Sequence, residues 1–533
     1  MKTVCIHIQT GILRRYVFMP KIMTAKEAIA EYIKDGMTIA TNGFVGGVFP
    51  EELAMALQAQ YLETGSPKNL KLIYAAGQGD SGERQLNHLG EEGLVETVIG
   101  GHWSLSPRLQ KLALANKFAA YNLPQGVLSE LFRECASKRP GVITKVGLKT
   151  FVDPRLEGGM LNDKAREKGN IVQVVELNGQ EYLFYPSQKI DVALIRATYA
   201  DINGNCSCEK EGGFGDIEPI AMAARTNGGK VIVQVENIVD AGALDTRFVK
   251  VPGIYVDAIV VADPKNHMQT NGTQYNPAYS GEKRVPVSAV EPLKMGNRKI
   301  IARRCAMELK AGAVVNLGIG MPEGIAKIVS EEGIPGMVLT TESGTIGGIP
   351  AGGGDFGVTT NPDCILPQSF QFDFYDGGGL DIAFLGLAQC DSHGNINVSK
   401  FGPKIAGCGG FINITQTTHK VLYCGTFTAG GLKEHVEDGK LVIDQEGRDD
   451  KFLQDVEQVT FSGDYALEAG QDVTYVTERA VFKLTPDGVE LTEVAPGVDI
   501  QKDILDHMAF KPIMKDVKEM DARIFKDEVM GLA

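Results

Sequence analysis

Short apolar runs, separated by stretches with helical periodicity, dominate the hydrophobic pattern of the chain. Clear examples lie at residues 71–76, 231–235, 258–262 and 337–340. Strands of a parallel sheet are buried on both faces and therefore apolar throughout, and crossover helices alternate with them along the chain. The pattern predicts an α/β fold with mainly parallel sheets.

The sequence contains an internal repeat. The stretch DGMTIATNGFVGGVFPEELAMAL from Asp35 has a counterpart in AGAVVNLGIGMPEGIAKIV from Ala311, and each reads as a strand, a glycine-rich turn and a helix that opens at Pro-Glu. A second pair, DVALIRATYADINGN from Asp191 and DIAFLGLAQCDSHGN from Asp381, aligns without gaps and ends in the turn signal Asp-x-x-Gly-Asn. We therefore expect two open α/β domains of the same type in tandem.

The length of the chain also argues for two domains. Its 533 residues exceed the roughly 250 to 300 residues at which a single core stops growing. Residues 265–296 are polar and poor in periodicity, which makes them the best linker. We expect domains at 24–290 and 291–533, preceded by a disordered N-terminal extension, 1–23. The first domain is the longer one, and residues 101–135 within it predict helices with short breaks.

Composition and charge exclude several classes of function. Hydrophobic residues make up 43% of the chain, but no apolar run is long enough to cross a bilayer. The formal net charge of −14 argues against a general nucleic-acid binder and leaves a small anionic ligand open. Nine scattered cysteines without a CxxC pair indicate a reduced, cytoplasmic protein. Cys206 and Cys208 lack a second pair at zinc spacing, so we expect no metal site.

Two glycine turns are candidates for binding. Gly318, Ile319 and Gly320 lie between a predicted strand, 313–316, and a helix that begins near Glu323. Helix N-termini at the carboxyl edge of a sheet favour anions, although a tight structural turn is the alternative. The counterpart in the first half contains Asn42, Gly43 and Phe44.

A third glycine cluster lies at residues 407–411. Gly407, Gly409 and Gly410 precede Phe411, which opens a predicted strand over 411–414. Successive glycines let the backbone approach a ligand closely. We expect this segment to contribute to a binding site.

Glu342 is an unusual residue for its position. It follows the predicted strand 337–340 in TTESGTIGG, where small residues and glycines surround it. It could cap a helix, face solvent or perform chemistry. The corresponding strand of the first half ends near Gln78, whose amide could donate toward Glu342 if the two halves face each other.

Together these residues resemble family I CoA-transferases, and most closely the fused bacterial acetate/propionate branch. The resemblance runs from about residue 24 to the end and rests on several segments, among them GHWSLSPR, AYNLPQGVL, GLKTFVDPR, SFQFDFYDGGGLD, DSHGNINVSKF, GCGGFINI and APGVDIQKDIL. It implies that Glu342 is the nucleophile, in an E-[ST]-G-x-I-G-G setting. The family's GxGGF motif matches Gly407 to Phe411, and its CoA-proximal turn matches Gly318 to Pro322.

The reaction implied by the resemblance is a ping-pong exchange of coenzyme A between a short-chain acyl-CoA and a free carboxylate such as acetate or propionate. Coenzyme A is then a substrate and a covalent intermediate, and no cofactor is bound permanently. The oxyanion and the substrate would meet Asn42, Gly43, Phe44 and Gln78. The family also implies a homo-oligomer, usually a tetramer.

Other interpretations remain beside this one. An acyl-CoA hydrolase would use the same glutamate, with water as acceptor. A metabolite-binding regulator or a sugar-phosphate isomerase is disfavoured by the glutamate setting and the GxGGF segment. His102 and Trp103 could line the site, or they could be packed without a functional role. Lys433 could contact a CoA phosphate, or it could be an ordinary solvent-exposed lysine.

Overall fold

The strands predicted from the apolar runs form two large sheets in the computed structural model, which describes residues 19–286 and 292–532. The expected α/β class with mainly parallel sheets is confirmed. Each half of the chain contributes one large sheet with helices packed against it.

The sheet of the first half has eight parallel strands. In spatial order they are Lys21–Ile22, Ala258–Val261, Lys230–Val235, Val192–Arg196, Thr38–Thr41, Leu70–Tyr74, Val95–Gly100 and Ala119–Asn122. The chain begins at the edge strand Lys21–Ile22 and crosses to the fifth strand of this order, Thr38–Thr41. From there it builds outward in one direction and then returns to build in the other. The order therefore reverses beside Thr38–Thr41, and ligands of open α/β sheets bind at such a switch point.

Helices and two small sheets complete the first half. The helices are Ala25–Tyr32, Glu51–Thr64, Pro107–Leu114, Gln125–Ser137, Asp163–Lys168 and Ile217–Thr226. One small sheet comprises Gly141–Thr144, Gln173–Leu177 and Gln180–Pro186, and the other comprises Tyr199–Asp201, Cys206–Ser207, Asn237–Val239 and Val249–Val251.

The prediction of helices alone over 101–135 was wrong in one place. Ala119–Asn122 is a strand between two helices, and all four of its residues are buried. A short strand buried on both faces has no alternation of apolar and polar residues, so periodicity does not distinguish it from a helix.

The sheet of the second half has ten strands. In spatial order they are Cys364–Ile365, Thr345–Ile346, Val338–Thr340, Val314–Leu317, Ile382–Gly386, Lys420–Cys424, Asp472–Val476, Ala480–Thr485, Gly488–Val494 and Lys518–Glu519. The five central strands of this order, from the third to the seventh, are parallel. The helices are Asn297–Ala306, Glu323–Glu332, Gln368–Asp376, Phe411–Thr417 and Gly463–Ala469.

Identical hydrogen bonds in the two halves support the internal repeat. Asp191 accepts from the Thr38 N–H at 2.9 Å, and Asp381 accepts from the Val314 N–H at 2.8 Å. Asp201 accepts from the backbone and side chain of Asn205, and Asp391 does the same with Asn395. The Asp-x-x-Gly-Asn signal is thus the same closed turn twice.

The polar segment 265–296 is not a free linker over its described part. Gln269, Thr270 and Tyr279 are buried, and the backbone of Asn361 in the second half donates to Ala278. These residues are polar because they form hydrogen bonds at the contact between the halves. A polar stretch without periodicity resembles a linker when only the sequence is considered. The predicted domain boundary at 290 lies outside the described residues. So do residues 1–18 of the N-terminal extension, whereas Lys21–Ile22 pairs with Ala258–Val261.

Backbone hydrogen bonds cross between the halves near residues 406–409. Trp103 donates to the Ala406 carbonyl at 2.7 Å, and Gly409 donates to the Gly101 carbonyl at 2.8 Å. The Asn122 side chain accepts from the Cys408 N–H at 2.8 Å and donates to the Gly100 and Gly101 carbonyls. Cys408 and Ile412 belong to the buried core of the first half.

We expect Asn122→Ala to lower the free energy of unfolding by about 1–3 kcal/mol, because it leaves buried donors and acceptors without partners. Amide hydrogen exchange at residues 407–410 should also become faster. Asn162→Ala is the matched control, since Asn162 makes a comparable set of buried hydrogen bonds within the first half alone. It should destabilise the protein without that local increase in exchange. Equal exchange at 407–410 in the two variants would contradict the crossing role of Asn122.

Candidate active site

Glu342 lies in a tight turn at the carboxyl edge of the sheet of the second half. The turn joins Val338–Thr340 to Thr345–Ile346, with a hydrogen bond of 3.1 Å from the Gly344 N–H to the Thr341 carbonyl. Gly344 has φ +104°, and a Cβ there would collide with the Leu366 carbonyl. The hydroxyl of Thr341 bonds those of Ser343 and Thr345, which fixes the turn further. The small residues that follow Glu342 in the sequence are therefore requirements of this turn.

The carboxylate of Glu342 lies against the backbone of Gly410. The Gly410 N–H favours the charged form of this group. A Cβ added at Gly410 would lie 2.5 Å from Oε2 and 2.8 Å from Cδ. Burial raises the pKa of Glu342 to about 7, and the Gly410 N–H opposes this rise. The group is therefore a carboxylate held in a poorly solvated place and poised near neutral pH.

In the segment from Gly407 to Phe411, one N–H lies beside Glu342, and the three N–H groups before it are hydrogen-bonded to other residues. The N–H groups of Gly407, Cys408 and Gly409 donate to the Ser399 carbonyl, the Asn122 side chain and the Gly101 carbonyl. The Gly410 N–H alone of these four favours the charged form of Glu342. The first half thus helps to aim that N–H, because it holds the residues on its N-terminal side.

The predicted strand over 411–414 was wrong. Phe411–Thr417 is a helix whose first six residues are buried. The sequence FINIT contains β-branched and aromatic residues that favour a strand, but complete burial between the halves removes the polar face by which a helix is recognised. As a result Gly410 lies at a helix N-terminus, where backbone N–H groups are available to an anion.

Two cavities meet at Glu342. The larger cavity, of about 400 Å³, lies within the second half and is bordered by Glu323–Glu332, by the end of Val338–Thr340 and by residues 348–352. The interface cavity, of about 220 Å³, lies between the halves. Its lining residues are Phe44, Val45, Gly77, His102, Leu105 and Gln125 from the first half and Gly318, Ile319, Glu342, Phe356, Leu385, Gly386, Val398, Ala406, Gly407, Cys408, Gly409, Gly410 and Phe411 from the second.

Of the four site residues predicted in the first half, one lines the interface cavity and three do not. Phe44 lines the interface cavity. Gln78 instead donates to the Thr41 and Gly43 carbonyls and accepts from the Thr41 hydroxyl at 2.7 Å. Asn42 donates to the Phe214 carbonyl and accepts from the Asp216 N–H. A Cβ at Gly43 would lie 2.9 Å from the Gln78 side chain, so that glycine permits close packing of the loop.

The turn at Gly318 borders the site without offering all of its N–H groups. Gly318 and Ile319 line the interface cavity, and the Ile319 side chain is 58% exposed. The Gly318 N–H is already bonded to the Phe384 carbonyl at 2.8 Å, and the Gly320 carbonyl accepts from Arg298. The helix beginning at Glu323 follows as predicted.

The remaining candidates have clear positions. His102 lines the interface cavity, and burial, with a smaller contribution from Lys404, lowers its pKa to about 4. Trp103 is fully buried in the first-half core. Lys433 is exposed on the hairpin formed by Lys433–Glu437 and Lys440–Gln445.

Sequence reasoning missed two residues at the cavities. Gln125 lines the interface cavity, and its amide donates to Gln368 of the second half at 3.2 Å. Phe356 borders both cavities and packs on Phe44 with ring centroids 6.0 Å apart. The one sequence signal for Phe356 is that it is an isolated aromatic residue in the glycine-rich stretch after Glu342.

Within 19–286 and 292–532, no group of His, Cys, Asp and Glu is arranged to hold a metal ion. Cys206 and Cys208 are buried free thiols. No helix in the same part of the chain has the length and apolar character needed to cross a membrane.

Comparisons with known proteins agree on one family. The family model described as Coenzyme A transferase matches residues 22–262. Caffeate CoA-transferase of Acetobacterium woodii is 49% identical over 522 residues, covering 96% of this chain and 99% of that protein. Acetate CoA-transferase YdiF of Escherichia coli is 45% identical over 513 residues, covering 96% of each.

Solved structures show the same fold. The apoenzyme of acyl-CoA transferase YdiF from Escherichia coli O157:H7 superimposes with a TM-score of 0.91 at 44% identity, covering 96% of this chain and 97% of that one. A thioester complex of that enzyme with CoA matches with the same TM-score, covering 97% and 98%.

The raised pKa of Glu342 predicts a stability difference that depends on pH. A carboxyl with a pKa of about 7 when folded and near 4.5 when unfolded destabilises the fold as pH rises through that window. Above pH 7 we expect the free energy of unfolding of Glu342→Gln, measured by urea denaturation, to exceed that of the wild type by about 1–3 kcal/mol. The variant should lose this advantage near pH 4.5. Glu519→Gln, at an exposed glutamate, is the control. A constant difference across this range would contradict the buried-carboxylate interpretation.

Proposed function

Because the chain belongs to the coenzyme A transferase family, we propose that it transfers coenzyme A from a short-chain acyl-CoA to a free short-chain carboxylate through Glu342. The observation that carries the proposal is the position of this carboxylate, at the meeting point of two cavities and against the N–H of Gly410. Acetate and propionate represent the proposed class of acceptor, and a tetramer stays a prediction from the resemblance.

In the first step the ionised Glu342 attacks the thioester carbonyl of acyl-CoA. The carbon–sulfur bond breaks, coenzyme A leaves as a thiolate, and a mixed acyl-glutamyl anhydride forms. A carboxylate is a weak nucleophile in water, and burial removes part of the solvation that holds it back. With a pKa of about 7, a substantial fraction is ionised at neutral pH.

In the second step the thiolate attacks the glutamyl carbonyl and releases the first acid as a carboxylate. Negative charge then develops on an oxygen of Glu342 itself, beside the Gly410 N–H, which already favours the charged form of this group. A fixed donor to a developing oxyanion is typically worth about 10²–10³ in rate. The resulting glutamyl-CoA thioester reacts with the acceptor acid by the same two steps in reverse.

The two cavities suit the two parts of the substrate. The larger cavity, of about 400 Å³, is the one we assign to the pantetheine arm, because Arg298 and Lys327 on its wall provide positive charge for phosphate. The smaller interface cavity, with Phe44, Leu105 and Val398 among its lining residues, suits an uncharged acyl group. The thioester complex with CoA known for the Escherichia coli relative supports a covalent route.

We expect acyl-CoA without an acceptor acid to leave coenzyme A attached to Glu342, detectable by mass spectrometry of the peptide that contains it. Borohydride should reduce this thioester and inactivate the enzyme, and Glu342→Gln should carry no adduct. An adduct on another residue would refute the assignment. Water-only turnover as fast as exchange with acetate would favour the alternative, an acyl-CoA hydrolase that uses the same glutamate.

We expect Gly410→Ala to retain the fold and to lose about 10²-fold in transfer rate, because its Cβ would displace the carboxyl of Glu342 by roughly 1 Å. Gly213→Ala is the matched control, since a Cβ at Gly213 meets nothing closer than the Ser343 carbonyl at 3.6 Å. Initial rates of both variants test the contact. Near-native activity of Gly410→Ala would show that the close approach of the backbone is not needed.

A further inference from the structure

Glu342 and Phe356 are the two residues shared by the larger cavity and the interface cavity. Phe356 is therefore the one aromatic side chain that borders both spaces, and it does so beside the proposed nucleophile. The ring is tilted by 31° against Phe44, which lines the interface cavity from the first half. A chemical group bound beside Glu342 in the interface cavity meets this pair of rings.

The first half holds Phe356 in place although the residue belongs to the second half. The adjacent Asp355 accepts hydrogen bonds from three hydroxyl groups of the first half, those of Thr270, Thr273 at 2.9 Å and Tyr279 at 3.1 Å. The backbones also approach closely there, because a Cβ at Gly354 would lie 3.2 Å from the backbone of Gly272.

Gly357 constrains the backbone on the C-terminal side of Phe356. Its φ of +102° is in the left-handed region, and a Cβ there would collide with the ring of Phe44. Phe356 thus lies between an anchored carboxylate and a glycine whose conformation other residues rarely adopt. An aromatic side chain between two such fixed points has little freedom to move aside.

We propose that Phe356 is a specificity-determining residue that limits the length of the acyl group accepted beside Glu342, and that Asp355 is its positioning residue. This inference rests on the proposed function, since it assumes that the acyl group occupies the interface cavity. The proposal requires that a long straight acyl chain growing from the carbonyl at Glu342 meets the Phe356 ring and that the shorter chains of acetate and propionate do not. Removal of a ring that borders both cavities should then open more space to the longer chain.

The test is a competition between hexanoate and propionate as acceptors, with acetyl-CoA as donor. Each buried methylene contributes about fourfold to selectivity. We expect Phe356→Ala to raise the ratio of kcat/KM for hexanoate over propionate by at least about tenfold, and Phe356→Trp to lower it. Phe370→Ala, which removes an exposed phenyl ring from Gln368–Asp376, should leave the ratio unchanged.

Asp355→Ala should shift the ratio in the same direction as Phe356→Ala but less, and through KM rather than kcat. Asp355→Asn, which keeps an acceptor oxygen, should restore part of the wild-type ratio. A merely destabilised protein would lose activity toward both acids equally, so the ratio separates positioning from folding.

A parallel mass measurement of the coenzyme A adduct on Glu342 separates failure of this inference from failure of the proposed function. If the adduct forms and the ratio stays within twofold of wild type in both Phe356→Ala and Phe356→Trp, the role of Phe356 is refuted and the transfer mechanism stands. If the wild type forms no adduct at Glu342, the mechanism fails and the inference fails with it.

Discussion

The close approach of the Gly410 backbone to the carboxyl of Glu342 is the constraint on which the candidate site depends. No side chain at 410 would permit an approach this close. The approach also requires Gly407, Cys408 and Gly409 to be held by other partners, two of which belong to the first half. The contact between the halves therefore sets the position of the backbone that lies against Glu342.

The two halves share a duplicated framework, and they differ at the strand ends that border the candidate site. Both halves keep the aspartates that close the same turn and the same strand contact. They differ where the first half ends its strand near Gln78 and the second ends at Glu342. Gln78 satisfies its amide within its own loop, whereas burial raises the pKa of Glu342. The first half thus contributes a hydrogen-bonded loop beside the interface cavity, and the second contributes a carboxyl group with a raised pKa.

Much of the fold was predictable from sequence because it rests on local patterns. Continuous apolar runs gave the central strands, and the repeated Asp-x-x-Gly-Asn turns gave the tandem arrangement. Glu342 stood out because an acid amid glycines has no packing role. These signals reflect short-range chemistry, which a single sequence records directly.

The errors arose where long-range burial overrides the local pattern. Phe411–Thr417 and Ala119–Asn122 are buried on every side, so neither shows the periodicity of its true state. The partners of Gln78 and Asn42 depend on loops far away in sequence. Phe356 acquires its position from hydroxyl groups about eighty residues earlier in the chain, and no local pattern records such a contact.

The crossing bonds at 406–409 also bear on how the protein is made. Domains generally fold in order of synthesis, and Asn122 and Gly101 are made long before residue 407 leaves the ribosome. Cys408 and Ile412 nevertheless belong to the buried core of the first half, so that core closes only when the second half arrives. The surroundings of Glu342 therefore form when the two halves join, and not during synthesis of either half alone.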